Sequence, residues 1–239
     1  MRRGIFITGT DTEVGKTHVA CLLAGELGRN FRVGVMKPAE SGCARVQGRA
    51  FPRDAAMLKE ASRCDWPIER ICPHAFFGAL APAEAARREG RSIDLSLIRR
   101  TCKEMQAAHD IVLVEGAGGL LAPIWGAHTC ADLAKDLNLP LLIVARAGLG
   151  TLNHSLLTLE VAQTRNIAVL AVVLNQSQKM EEDESVKTNA QILRQHTKVP
   201  VLGPLPHVSP VEGALGGISK RIVDDLVQAV LSLEHCIKE

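Results

Sequence analysis

Short, unbroken apolar runs alternate with segments of helical spacing along most of the chain. The runs lie at residues 4–8 (GIFIT), 32–36 (RVGVM), 111–114 (IVLV), 141–145 (LLIVA), 168–174 (AVLAVVL) and, more briefly, 200–202 (PVL). They are rich in Val, Ile and Leu and lack the apolar–polar alternation of a half-exposed strand. That pattern predicts strands buried on both faces, as in a parallel sheet covered by helices. The intervening segments predict helices over 16–29, 94–108, 151–164, 183–196 and 219–233. Val19, Ala20, Leu22, Leu23 and Leu27 give the first of these its apolar positions, and Asp94 stands where a cap opens the second. The acidic run at 181–184 (EEDE) reads as the solvated start of the fourth. Strand–helix repetition of this kind predicts a doubly wound α/β fold, a mainly parallel sheet with helices on both faces and right-handed crossovers. No linker or low-complexity stretch interrupts it, so residues 1–239 are expected to form a single domain. Residues 39–53 lack periodicity and are expected as a long loop, a feature more often functional than idle.

Composition narrows the partners. The 239 residues are 46% hydrophobic and 23% charged, ordinary for a globular protein. Lys and Arg total 28 against 26 Asp and Glu, and this net charge of +2 gives no support to a nucleic-acid or anionic-membrane partner. There is no Tyr, which also argues against a base-stacking surface. Seven scattered cysteines, an odd number without a C-x-x-C pair, do not read as a disulfide framework but as cytosolic thiols. Cys64, Cys72 and His74 can be imagined as metal ligands, but their spacing matches no usual zinc pattern. The opening MRRGIFITGT has too short an apolar stretch for a signal peptide, and no apolar run reaches the ~18 residues of a membrane span. A cytoplasmic protein is expected.

The chemistry should sit beyond the carboxyl ends of the strands, where open parallel sheets bind ligands. Five of those ends carry glycines or polar groups. After the first run comes GTDTEVGKT, residues 9–17. It closes like the phosphate loop G-x-x-x-x-G-K-[ST] but has Thr10 where that pattern puts glycine. Gly15, Lys16 and Thr17 precede a helix, so backbone N–H groups and the helix dipole can receive phosphate. Lys16 would reach the β- and γ-phosphates and Thr17 would coordinate Mg²⁺, which makes the fold P-loop NTPase-like. Glu115, at the end of a buried run and followed by Gly116, Ala117, Gly118 and Gly119, is placed to hold Mg²⁺ directly or through water. Asp54 is a second hard-oxygen candidate, although by position alone a helix cap or first-turn acid is the better explanation. Lys37 emerges at the same edge in MKPAESG; a surface lysine snorkelling beside a strand end is the ordinary reading, and its place before Pro38, Ser41 and Gly42 favours an active-site cation for phosphoryl transfer. The stretch 148–153 (GLGTLN) opens a helix and offers N–H groups to a second anion such as a substrate carboxylate, though a plain helix start accounts for it as well.

Together these motifs resemble the dethiobiotin synthetase family. GTDTEVGKT, the KP-x-x-SG stretch at 37–42, VEGAGG at 114–119 and GLGTLNH at 148–154 are all similar to family motifs, in family order. Asn175 and the GPLP stretch at 203–206 extend the likeness over most of the chain, and Thr10 is the family's own residue in the loop. The resemblance implies an ATP- and Mg²⁺-dependent enzyme that closes a cyclic urea from 7,8-diaminononanoate (7,8-diaminopelargonate) and CO₂. A carbamate forms, ATP phosphorylates it, and the second amine displaces phosphate. By motif, Lys16 and Lys37 would stabilise the transferring phosphoryl group and carbamate, and Thr12 and Ser41 would contact the amines or carbamate. Glu13, Val14, Gly15, Lys16 and Thr17 would hold the triphosphate, with Gly116, Ala117 and Gly118 beside it, while Thr17, Asp54 and Glu115 would arrange Mg²⁺. Asn175, Pro206, His207 and Val208 would contact adenine. The family also implies a homodimer, with the substrate carboxylate near the interface at Gly150, Thr151, Leu152 and Asn153.

Two rivals have related ATP domains. A cobyrinic acid amide synthase needs a further glutaminase domain, for which the chain is expected to be too short. A partition- or septum-positioning ATPase carries an extra lysine early in the loop (K-G-G-x-G-K-T), where this chain has Asp11 and Thr12. Neither a basic patch nor a terminal amphipathic membrane anchor is expected from the sequence.

Overall fold

The computed structural model describes residues 3–178, 183–207 and 220–232. Its centre is β1 (Arg3–Gly9), flanked by β7 (Ile111–Gly119) on one side and β10 (Leu141–Arg146) on the other. Beyond β7 lies the edge strand β2 (Val33–Met36); beyond β10 come β11 (Val169–Asn175) and β12 (Val201–Leu205). The order is therefore β12-β11-β10-β1-β7-β2, and every pairing is parallel. From β1 the chain runs out to the β2 edge, returns to β7, and then crosses to build the other half. The sheet thus changes direction around β1, and a crevice opens at its carboxyl end, where the first loop lies.

The apolar runs account for the sheet directly. Ile5, Phe6, Ile7, Val112, Val114 and all of residues 141–145 are wholly buried. Helices cover both faces. They are α1 (Lys16–Leu27), α2 (Arg53–Ser62), α5 (Leu95–Ala108), α6 (Cys130–Asp136), α7 (Thr151–Thr164), α8 (Glu184–His196) and α9 (Lys220–Leu231), with α3 (Ile68–Ile71) and α4 (Pro82–Arg88) as short additions. Asp94 caps α5 by accepting from the Ser96 and Leu97 N–H groups, and Asp183 caps α8 through Ser185 N–H. Thr129 and Asp132 form a reciprocal capping box on α6. None of the helices is long and apolar enough to cross a membrane, among the described residues.

The structure departs from the sequence reading at several points. Residues 39–53 are not a plain loop but contain β3 (Ala39–Glu40) and a hairpin of β4 (Ala44–Val46) and β5 (Arg49–Phe51). Its turn places Gln47 and Gly48 at φ 49 and 79, the left-handed pair that a twisted two-residue hairpin needs. Three small pieces complete the chain: β6 (His74–Ala75), which pairs with β3, and the hairpin of β8 (Pro123–Trp125) and β9 (His128–Thr129). The last predicted strand lengthens from 200–202 to Val201–Leu205, and the run at 111–114 continues as strand to Gly119. The acidic run shortens as a helix start, since α8 begins at Glu184; Glu181 and Glu182 lie outside the described residues. Cys64, Cys72 and His74 do not form a metal set. His74 Nε2 is taken by the Asp94 N–H at 3.1 Å and Cys72 Sγ lies 3.6 Å from the His74 carbonyl oxygen, so neither side chain turns to Cys64. The six cysteines among the described residues are free thiols.

Candidate active site

Strand register brings the charged groups together. Met36 of β2 lies opposite Val114 of β7, so the next residues along, Lys37 and Glu115, lie side by side. On its other edge β7 sets Glu115 against Ile7, just before the first loop. Lys37 is 4% exposed and Glu115 1%, and the Lys37 Nζ donates to Glu115 Oε1 at 2.6 Å. The same ammonium donates to Asp54 Oδ2 at 3.0 Å. Burial pulls the Lys37 pKa down, but Glu115 and then Asp54 outweigh it and hold the group above the ordinary lysine value.

Asp54 is positioned by a residue the sequence reading left unused. Glu40, buried at the end of β3, accepts the Asp54 N–H through Oε1 at 2.9 Å and the Ala55 N–H through Oε2 at 3.0 Å. It thereby caps the first turn of α2 from fourteen residues away, where a local cap would have been visible in the sequence. Burial raises the Glu40 pKa, offset in part by those two N–H donors. Glu40 stands inside the quoted MKPAESG motif, which was its available signal.

The first loop closes the other wall. Glu13 and Gly15 take φ values of 56 and 90, turning the chain so that α1 begins at Lys16 beneath the crevice. A Cβ on Gly15 would stand 2.1 Å from Asn175 Nδ2, so only glycine fits at that contact. Lys16 Nζ donates to the Asp11 carbonyl oxygen at 3.1 Å, and the Thr17 hydroxyl donates to Glu115 Oε1 at 2.8 Å. Burial, and then the positive charge of Lys37, lowers the Lys16 pKa. A cavity of about 410 Å³ results, lined by Thr12, Lys16, Lys37, Ser41, Asp54 and Glu115, among others. Glu13, Gly15, Thr17, Ala117 and Gly118 complete its phosphate side.

A second cavity, about 340 Å³, meets the first along Thr12 and Glu13 and is walled by Asn175, Gln176 and Arg146. Asn175 Nδ2 donates to the Val14 carbonyl oxygen at 2.9 Å, tying β11 to the loop. Arg146 reaches Asp11 Oδ2 at 3.1 Å, an ion pair that the sequence reading did not single out. The His207 N–H donates to Gln176 Oε1 at 3.4 Å, and His207 also lies close enough to His18 to lower its pKa, after the larger effect of burial. Val208 falls outside the described residues. Gly150, Thr151, Leu152 and Asn153 line neither cavity; Gly150 and Asn153 are exposed, and the buried Thr151 hydroxyl faces Ser155 Oγ at 3.4 Å.

The residues suit a magnesium nucleotide. Glu115 Oε2 is buried with no hydrogen-bond partner among the described residues, beside the Thr17 hydroxyl and Asp54, and an oxygen-rich acidic set is what Mg²⁺ takes. Asn175 Oδ1 is likewise buried without a partner among the described residues, an acceptor beside the loop that an exocyclic amine can satisfy. Two ammonium groups at the cavity floor match an anion, not an apolar ligand.

The comparisons with known proteins agree with this geometry. Residues 3–214 match a family model described as an AAA domain. An ATP-dependent dethiobiotin synthetase BioD from Anaeromyxobacter sp. (strain K) is 49% identical over 201 residues, 83% of this chain and 88% of that protein. A protein of the same name from Thermodesulfovibrio yellowstonii is 35% identical over 98% of this chain and its own full length. Among solved structures, the septum site-determining protein MinD from Pyrococcus horikoshii, complexed with Mg-ADP, superposes with a TM-score of 0.56 at 18% identity, covering 100% of this chain and 97% of that one. A cobyrinic acid a,c-diamide synthase from Mycobacterium smegmatis gives 0.54 at 14% identity, covering 100% and 97%. At such identities the structural likeness speaks for the fold alone.

Proposed function

The chain belongs to the ATP-dependent dethiobiotin synthetase family, and from that premise we propose that it converts 7,8-diaminononanoate, CO₂ and ATP into the cyclic urea dethiobiotin, ADP and phosphate. One amine adds to CO₂ and loses a proton, giving a carbamate. A carbamate oxygen takes the γ-phosphoryl group and ADP departs. The second amine then attacks the carbonyl carbon of the mixed anhydride, expels phosphate and closes the ring. Every step needs anionic oxygens held close and neutralised, and none needs a covalent nucleophile from the protein.

The observation that carries this reading is the buried Lys37 ammonium at the floor of a cavity that it shares with Lys16 and the phosphate loop. Lys37 faces the carbamate and Lys16 the γ-phosphate, so the two cations bracket the oxygen that is phosphorylated. Thr12 and Ser41 line the same cavity and orient the amines or carbamate. Residues 13–17 hold the triphosphate against Gly116, Ala117 and Gly118. Asn175 lines the adjoining cavity and would receive adenine there, with Pro206, His207 and Val208 assigned to the same contact by motif. Thr17, Asp54 and Glu115 would hold Mg²⁺, which supplies neutralising charge on the phosphates. Since Glu115 and Asp54 also grip Lys37, the metal ligands and the catalytic cation are set by one another.

In this reading the enzyme is cytoplasmic and acts as a homodimer. The substrate carboxylate then meets the start of α7, at Gly150–Asn153, contributed across the subunit boundary. That placement accounts for four motif residues that line neither cavity of their own chain. The test is ATP turnover with bicarbonate, measured with and without the diamine. Turnover that requires both supports the synthetase; hydrolysis indifferent to the diamine and stimulated by DNA or lipid contradicts it.

A further inference from the structure

At the amino-terminal end of the sheet, away from the phosphate loop, Cys64, Asp65 and His109 bring three ligand atoms within 4.8 Å of one another. Cys64 follows α2 and is buried, 6% exposed; His109 follows α5 and is half-buried; Asp65 is at the surface. Cys64 Sγ and His109 Nε2 stand 3.8 Å apart. The other ring nitrogen, Nδ1, lies 3.0 Å from the Met105 carbonyl oxygen. That oxygen can only accept, so Nδ1 carries the proton and the Nε2 lone pair points at the thiol. Metal-ligating histidines usually donate their other ring N–H to a carbonyl or carboxylate in this way. The ring is locked further by Trp66, edge-on with centroids 5.7 Å apart. It is also fitted over Gly34 of β2, where a Cβ would stand 3.0 Å from the imidazole.

We propose that Cys64, His109 and Asp65 form a site for a zinc-class transition-metal ion, unconnected with nucleotide chemistry. Metal–sulfur and metal–nitrogen bonds of about 2.3 and 2.0–2.1 Å at a tetrahedral angle separate the two atoms by roughly 3.5 Å, so the observed spacing needs only a small closure. A thiolate, a neutral imidazole and a carboxylate suit zinc, cobalt or nickel, not magnesium, and three protein ligands leave a fourth position for water. Arg70 is stacked over Trp66, and its charge is answered by Glu104. The ion would fasten the end of α2 to the end of α5. Because the first turn of α2 presents Asp54 to the active site, about 15 Å along the helix, the clamp would steady that helix from its far end.

The test uses untagged, chelator-stripped full-length protein titrated with Co²⁺ and then Zn²⁺. One equivalent of cobalt per chain should produce a thiolate-to-cobalt charge-transfer band, which zinc abolishes by displacement. Cys64→Ser should lose the band and weaken zinc binding by at least ~100-fold, and His109→Gln should weaken it comparably. Cys102→Ser, a buried thiol outside the cluster, should leave both unchanged. Zinc should also raise the thermal midpoint of the wild type and not of Cys64→Ser. No charge-transfer band in the wild type, or a band that survives in Cys64→Ser or in His109→Gln, overturns the proposal.

Discussion

Lys37 holds a positive charge where water scarcely reaches, and two carboxylates make that tolerable. Removing the ammonium leaves Glu115 buried and unpaired, a loss expected at about 3–5 kcal/mol. Against a total stability of about 5–15 kcal/mol, a Lys37→Ala chain still folds at room temperature, with a lower urea midpoint. Its turnover should fall by at least ~10²-fold, as when a transition-state cation or donor is deleted. Pairing Lys37→Met with Glu115→Gln removes the orphaned charge, so the midpoint should recover while turnover does not. Near-normal turnover in either Lys37 variant would take the residue out of the mechanism. The neighbouring lysine supplies a pH signature. Burial and the Lys37 charge lower the Lys16 pKa, while carboxylates raise that of Lys37. As pH rises, Lys16 therefore loses its proton first, and kcat/KM of the free enzyme should decline on an alkaline limb below the ordinary lysine pKa. Stability runs the other way: the unfolded chain holds the Lys16 proton more tightly, so this group's contribution rises with pH between its folded and unfolded pKa values. A flat kcat/KM profile through that window would separate Lys16 from catalysis.

Among the elements, the six central strands were legible because Val, Ile and Leu runs buried on both faces have no other economical placement. The missed elements lacked a local signal. The hairpin strands at 44–46 and 49–51 are short and largely exposed, and their Gln47-Gly48 turn is a less familiar pair than Asn-Gly. The extension of β7 through GAGG has no strand propensity and follows from backbone pairing, Gly119 opposite Gly9. Helix α2 has no capping side chain of its own, since Glu40 supplies the cap from β3. This difference in cap origin is testable. Glu40→Ala unpairs two buried N–H groups and frees the residue that carries Asp54; stability should fall by about 1–3 kcal/mol and KM for magnesium-ATP should rise. Thr129→Ala breaks the capping box on α6 at a residue that lines neither cavity, and should cost about 1 kcal/mol with kcat/KM unchanged. Equal kinetic effects in the two variants would remove the special role given to Glu40.

Across the whole molecule, function follows from strand order. The switch around β1 sets β7 and β2 to one side of the phosphate loop and β10 and β11 to the other. The first pair brings Lys37 and Glu115; the second brings Arg146 and Asn175, which register places opposite each other. Most site residues were therefore legible once the strand ends were known. Glu40 and Arg146 were not, because a charged residue beside a strand end looks the same as a solvated one until the fold sets Glu40 against the α2 N–H groups and Arg146 against Asp11. A magnesium-bound, non-hydrolysable ATP analogue at 100 times its Kd should add about 2.7 kcal/mol, a rise in thermal midpoint of roughly 2–4 °C per kcal/mol. Gly15→Ala, which drives a methyl group into Asn175, should abolish that rise.

The central claim is that one cavity brings a CO₂-derived oxygen to the γ-phosphate between Lys16 and Lys37. Oxygen-18-labelled CO₂, supplied with the diamine and ATP and quenched before it exchanges with water, tests it directly by mass spectrometry of the released phosphate. The account expects one labelled oxygen in each phosphate formed, matched by one cyclic urea. Phosphate free of label, with its new oxygen drawn from water, would contradict it.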